Sequence, residues 1–332
     1  MTVSKAQRPS VTAPKNGHGS LLFSEVCHDL DTLVADIAVL GIPYGSAYTQ
    51  AEVSNDQSNA PTHVRQASDR AVRSPERYDF DTGGPLLMNR DIKFVDCGDA
   101  AAYPDQPGSS YENAESTMRK ILAAGALPLV IGGDHGVPIP VLRAFDQEEG
   151  PITLIHIDAH LDWRDEVEGV PDGYSSPIRR ASEMNHIGDI FQIGIRAQGS
   201  ARQEEIDIAQ AYGANIVTAW ELHEKGMPAI LDRIPDGGRY YISIDADGMD
   251  PSVMPGVNGP AFGGVTYMQA WQLIHGLVGK GRVVGMDVVE ITPAKDVNRF
   301  SAIAACRLFV NLIGAAIKAD YFPDAGHKPA TP

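Results

Sequence analysis

The segment HIDAHLD, His156 to Asp162, places Asp158, His160 and Asp162 at alternate positions directly after the apolar run PITLI. In an extended chain successive side chains point to opposite faces, so this spacing predicts that all three point the same way. Two carboxylates and an imidazole then converge at the end of a buried strand, which is a cation-binding arrangement. A single Asp there would more often solvate a loop.

Two further segments repeat the theme. GGDH closes an earlier β-branched run and offers His135, with Gly132 and Gly133 permitting a tight turn. SIDADGMDP offers Asp245 and Asp247, again two apart. The candidate ligand set is therefore His135, Asp158, His160, Asp162, Asp245 and Asp247, more than one metal ion takes from protein side chains. The four carboxylates of that set match the charge of two divalent cations, which predicts a pair of ions bridged by carboxylates and a water. Carboxylate and imidazole ligation without thiolate points to Mn²⁺, with Ni²⁺, Co²⁺ or Fe²⁺ open, and away from a Cys-rich zinc site. Two such ions roughly 3.5 to 4 Å apart lower the pKa of a shared water and supply hydroxide near neutral pH, so hydrolysis is the expected chemistry.

The elements that must position these residues alternate in type. DIAVLGIPYG, DIKFVDCGDA, LPLVIGGDH, PITLIHIDAHLD, IFQIGIR, NIVTAW, RYYISIDADGMD and RVVGMDVVEI read as about eight strands. Helical segments such as YENAESTMRKILAAG and TYMQAWQLIHGLVG lie between them, VPIPVLRAF reads as a helix start with Pro in its first turn, and FSAIAACRLFVNLIGAAIKA forms a long apolar helix. Near-continuous apolar strands alternating with helices predict an α/β fold with a mostly parallel sheet covered on both faces. Every polar cluster falls at the C-terminal end of a strand, where open α/β sheets place their ligands. The stretch SAYTQAEVSNDQSNAPTHVRQAS after the first strand is polar and too long for an ordinary connection, so it is expected to be a functional loop. One domain is expected over residues 21–322, with a flexible arm over 1–20 and a frayed tail over 323–332.

A formal charge of −16 excludes the basic surface that nucleic acid requires. Three widely spaced cysteines suit a reducing compartment better than a disulfide framework. There is no uninterrupted apolar run of about 18 residues, and the N-terminal segment has no apolar core of the secretory kind. A cytoplasmic protein with no membrane partner is expected.

GGDH, DAHLD and SIDADGMDP resemble the three signatures of the ureohydrolase family of arginases and agmatinases, the agmatinase-like branch in particular. The similarity runs from GIPYG and NAPTHVR through IGIR to GMDVVEITP. It implies a three-layer α/β/α sandwich, a binuclear manganese site on the six residues named above, and assembly as trimers or hexamers. It implies hydrolysis of a C–N bond in a small cationic guanidino substrate by attack of bridging hydroxide on the guanidinium carbon, usually releasing urea. By position, Asp162 would carry the proton to the departing amine, and Glu290, in MDVVE, would hold the guanidinium.

The chain departs from the family pattern in three places. In GYSSPIRR, Tyr174 stands where a His is expected and Ser175 where a Gly is expected. Trp163 replaces a residue that is usually small and polar, and Gln269 stands where Glu is typical, which affects a helix start at most. Trp163 and Tyr174 either narrow the pocket and line it with aromatic faces for a cation, or Trp163 packs beneath the loop. These changes turn the expected substrate from arginine and agmatine toward a guanidino acid, free guanidine, a substituted guanidine, or a biguanide of the metformin type that releases an amine. The absent imidazole also leaves open a catalytically impaired subunit supporting an active paralogue, and a related one-zinc deacetylase is disfavoured by the complete D-x-H-x-D.

Overall fold

The computed structural model describes residues 11–12, 19–45, 48, 56–102 and 109–326. Most of the expected N-terminal arm, residues 46–47 and 49–55 of the expected functional loop, and residues 327–332 of the tail lie outside the described residues. The later part of that loop is not loop at all, because APTHVRQASDRA forms helix α1 (Ala60–Ala71) with Pro61 in its first turn.

The strands are β1 (Val11–Thr12), β2 (Glu25–Val26), β3 (Ile37–Ile42), β4 (Phe94–Ala100), β5 (Leu127–Gly132), β6 (Ile152–Ile157), β7 (Ile187–Ile195), β8 (Asn215–Thr218), β9 (Arg239–Asp245) and β10 (Arg282–Val289). They form one sheet in the order β4-β3-β5-β10-β9-β6-β7-β8, parallel throughout. The eight strands read from the sequence are all present. Two more, each two residues long, join the free side of β4, with β1 antiparallel and β2 parallel. Their pairing satisfies edge groups of β4 that would otherwise be open, and a two-residue strand carries too little pattern to be read from sequence.

The strands alternate between two separate cores, which is what a parallel sheet buried on both faces requires. Ile37 and Val39 of β3, with Ile155 and Ile157 of β6, enter one core; Ala38, Leu40 and Ile42, with Leu154, enter the other. The first core is closed by α1, α6 (Ala219–Leu231), α7 (Tyr267–Lys280) and α8 (Phe300–Lys318). The second is closed by α2 (Ser109–Ala123), α3 (Pro138–Arg143), α4 (Pro177–Ser182) and α5 (Gln203–Tyr212). The result is the expected three-layer sandwich. Helix α8 and its lead-in, Val297–Lys318, are long and apolar enough to cross a membrane, yet 83% of the apolar window is buried inside the protein, so this is a core helix.

Because β5, β10, β9 and β6 are neighbours and parallel, their C-terminal ends open on one edge of the sheet. Asp245 ends β9, the other five candidate ligands lie in the turns that leave β5, β6 and β9, and Glu290 follows β10.

Candidate metal centre

The expected extension of strand β6 through Asp162 does not occur. The strand ends at Ile157 and the chain bends at Ala159 and His160. The spacing of two works for another reason: the His160 N–H donates to Asp158 Oδ1 at 2.6 Å, and the Asp247 N–H donates to Asp245 Oδ1 at 2.7 Å. An Asp that accepts from the N–H two residues on closes a tight turn, so the motif curls its carboxylates inward instead of pleating them. Asp162 (φ 55°) and Glu290 (φ 62°) are both held in the left-handed region, which non-glycine residues rarely adopt and which recurs at functional sites. Two glycines permit the close approach of the turns. A Cβ on Gly133 would sit 1.6 Å from the Tyr44 carbonyl oxygen, and one on Gly248 would sit 2.5 Å from the Asp158 Cα.

All six predicted ligands converge. His135 Nδ1 lies 3.0 Å from Asp158 Oδ2, 3.1 Å from Asp162 Oδ2 and 3.0 Å from Asp245 Oδ2. His160 Nδ1 lies 3.3 Å from Asp158 Oδ1 and 3.3 Å from Asp247 Oδ2. Asp158 thus stands between two groups and presents one oxygen to each.

The buried Nδ1 of His135 makes no aligned hydrogen bond, although three carboxylates surround it. His135 Nε2 is 3.3 Å from Ser243 Oγ, and that hydroxyl donates to Asp287 Oδ1 at 2.8 Å, which orients the ring so that Nδ1 faces the three carboxylates. Burial opposes a charged ring, but the carboxylates outweigh it and raise His135 well above the usual imidazole range. A lone pair and carboxylate oxygens at this spacing repel one another unless a cation or shared protons lie among them. The charges show the same tension. Burial, reinforced by the charge of Asp158, pushes the Asp162 carboxyl up to about 7. Burial, together with the charge of Asp247, raises Asp245 well above the usual carboxylate range. Asp158 and Asp247 push His160 up to about 12. The donor set therefore fits divalent cations, with His135, Asp158, Asp162 and Asp245 in one group and Asp158, His160 and Asp247 in the other.

A cavity of about 420 Å³ opens over these residues. Glu290 lines it, with Oε1 accepting the His135 backbone N–H at 2.8 Å and Oε2 accepting from Gln57 Nε2 at 3.0 Å. Gln57 comes from the described end of the expected functional loop. Tyr174 also lines the cavity and packs on Tyr48, ring centroids 4.4 Å apart at 42°. Trp163 does not reach it. Trp163 is 1% exposed in the second core and donates from Nε1 to Gln192 Oε1 at 2.7 Å, so the pocket-lining expectation is corrected and the packing alternative holds. Gln269 completes a capping box with Thr266 at the start of α7, as a helix-start role requires.

Several residues escaped the sequence reading. His156 is fully buried, with Nε2 2.9 Å from Asp158 Oδ2 and Nδ1 accepting from Gln192 Nε2 at 3.1 Å. Its place two residues before Asp158 was a signal available in the motif itself. Ser243 and Asp287 had none, since each sits inside an apolar strand and matters only through a neighbouring strand.

Comparison with known proteins gives a consistent set. A family model described as the arginase family matches residues 35–314. A guanidinopropionase of Pseudomonas aeruginosa is 32% identical over 293 residues, covering 85% of this chain and 87% of that protein. A guanidinobutyrase of the same organism is 32% identical over 290 residues, covering 86% and 87%. Among solved structures, a hypothetical agmatinase from Burkholderia thailandensis superposes with a TM-score of 0.76 at 28% identity, covering 90% of each chain. Proclavaminate amidinohydrolase from Streptomyces clavuligerus gives 0.78 at 27% identity, covering 94% of this chain and all of that one.

Proposed function

The chain belongs to the arginase family, and we propose on that premise that it hydrolyses a C–N bond of a guanidino-type substrate at a pair of divalent cations, Mn²⁺ first and Ni²⁺ second among the candidates. The observation that carries this reading is His135 Nδ1, buried within 3.1 Å of carboxylate oxygens from Asp158, Asp162 and Asp245. Asp158, offering one oxygen to each group, would hold both ions. When bound, the two ions supply a hydroxide near neutral pH.

The chain's own residues do the rest. Glu290 orients the planar guanidinium by charge-assisted hydrogen bonds, its carboxylate already aligned by the His135 N–H and by Gln57. Asp162, a carboxylate of the ligand set that also lines the cavity, carries a proton to the departing nitrogen. Tyr174 supplies a wall, since a phenol is a poor proton carrier at neutral pH. Urea is the usual product, and a biguanide would instead release an amine. The same reading makes residues 21–322 one catalytic unit of a cytoplasmic homo-oligomer, a trimer or hexamer that a paralogous subunit could join. Against a catalytically impaired subunit stands the convergence of all six ligands, which a decayed site would have no reason to keep.

The test is removal of metal with a chelator, reconstitution with Mn²⁺ or Ni²⁺, and assay of urea, ammonia and amine over guanidine, guanidino acids, agmatine and biguanides. Metal-dependent turnover of at least one member is expected. No turnover of any member at full metal occupancy would overturn the reading.

A further inference from the structure

The cavity is strongly acidic. Asp134, Asp162, Asp245, Asp247, Glu205 and Glu290 line it, and among the described residues Arg164 is the one Lys or Arg side chain that does so. That cation is already engaged: Arg164 Nε lies 3.2 Å from Glu205 Oε1. Both partners are anchored. Glu205 is 8% exposed and its Oε2 accepts the Arg202 backbone N–H at 2.9 Å, closing the first turn of α5. Arg164 donates its backbone N–H to the Ser175 carbonyl at 3.1 Å, beside Tyr174.

We propose that the Arg164–Glu205 pair is a specificity filter that turns guanidino acids away and leaves the site to guanidines whose far end carries no carboxylate. The proposal rests on the reading of the site as a guanidino hydrolase and names the substrate class it selects. A tail carboxylate entering this cavity finds one cation whose Nε faces Glu205, so it must share that cation with Glu205 or displace it, and displacement leaves a mostly buried carboxylate without its partner. With the ligand carboxylates offset by the cations and Glu290 by the guanidinium, it also meets Asp134 and Glu205, the remaining lining carboxylates, which disfavour a further negative charge. A tail that is uncharged or cationic meets neither obstacle.

The experiment compares 4-guanidinobutyrate with butylguanidine, which differ only in a carboxylate against a methyl group, using the full-length metal-reconstituted protein. Both kcat/KM and calorimetric Kd are read. Wild type is expected to favour butylguanidine by about tenfold or more. Glu205→Gln frees Arg164 while keeping an acceptor for the α5 capping bond, and is expected to shift the ratio about tenfold or more toward 4-guanidinobutyrate, in KM and Kd rather than in kcat. Adding Arg164→Met to that variant should abolish the gain. Preference of wild type for 4-guanidinobutyrate, or an unchanged ratio in Glu205→Gln, overturns the filter. Absence of turnover of every guanidine sinks the functional reading instead, and the Kd ratio still decides the filter on its own.

Discussion

Glu290 Oε1 accepts the backbone N–H of His135 at 2.8 Å, so the turn that carries one predicted ligand also holds the carboxylate that faces the cavity. Their strands, β10 and β5, are neighbours, which ties the carboxylate proposed to hold the guanidinium to a candidate metal ligand. Glu290→Gln keeps an oxygen for that N–H and loses the charge. A charge-assisted hydrogen bond is worth about 1.5–3 kcal/mol, so kcat/KM is expected to fall roughly 10- to 150-fold with metal content unchanged. Steady-state kinetics beside metal analysis checks this.

Tyr174 is read as a wall held by Tyr48 rather than as an acid or base. A cation over a tyrosine face gains about 0.5–1 kcal/mol, so Tyr174→Ala is expected to raise KM roughly 2- to 5-fold while kcat changes little. Tyr174→Phe should keep most of the wild-type KM. A collapse of kcat in the Phe variant would instead make the hydroxyl part of the chemistry.

Trp163 belongs to the core, and its substitution is a stability experiment. Trp163→Phe strands the buried Gln192 Oε1, which costs about 1–3 kcal/mol, and Trp163→Ala adds a cavity for a total of about 3–5 kcal/mol. Urea denaturation should show lower midpoints in that order. The ratio of kcat/KM between two guanidines should stay near the wild-type value, and a changed ratio would return Trp163 to the pocket wall.

Asp296 caps the core helix α8, with Oδ1 accepting the Ser301 N–H at 2.8 Å and Oδ2 lying 2.9 Å from His63 Nε2. Burial favours its neutral form, but the bonds from His63 and from the Ser301 and Ala302 N–H groups outweigh it and hold the carboxyl below the usual range. The folded value is depressed, so this stabilisation is full above the unfolded carboxylate pKa and disappears as pH falls through the folded one. Asp296→Ala is expected to cost about 1–2 kcal/mol at neutral pH, with the difference from wild type shrinking in acid. Melting temperatures from pH 7 down to pH 3 test the sign.

Much of this arrangement is legible in the sequence, and what is not has a physical reason. Apolar runs such as ITLIHI mark buried parallel strands because both of their faces are covered, and all eight follow. The six ligands are legible because each cluster ends such a run. Spacing of two, however, is shared by a pleated strand and by an Asp turn, so Asp158 to Asp162 is misread as strand although its convergence is anticipated. Trp163 fails for a different reason, since adjacency to Asp162 suggests the pocket whereas alternation turns the residue after a ligand to the opposite face. Arg164 and Glu205 meet only because α5 folds back over the turn after β6, and no local pattern reports that.

Loading the site should release protons. In the cation-free chain Asp158 and Asp247 hold His160 protonated at neutral pH, with its value pushed up to about 12, while coordination requires the neutral ring. Metal affinity is therefore expected to rise with pH. Calorimetry of Mn²⁺ binding in buffers of different ionisation enthalpy should show net proton release, and buffer-independent heats would contradict it.

A two-ion site held in common by Asp158 fixes the metal content of the protein. Chelator-treated full-length protein and its Asp158→Asn variant are loaded with Mn²⁺, desalted and measured for metal per chain by elemental analysis. Two ions per chain are expected in wild type and one or none in the variant. Wild type that reaches full activity with a single ion, or a variant that retains both, would contradict it.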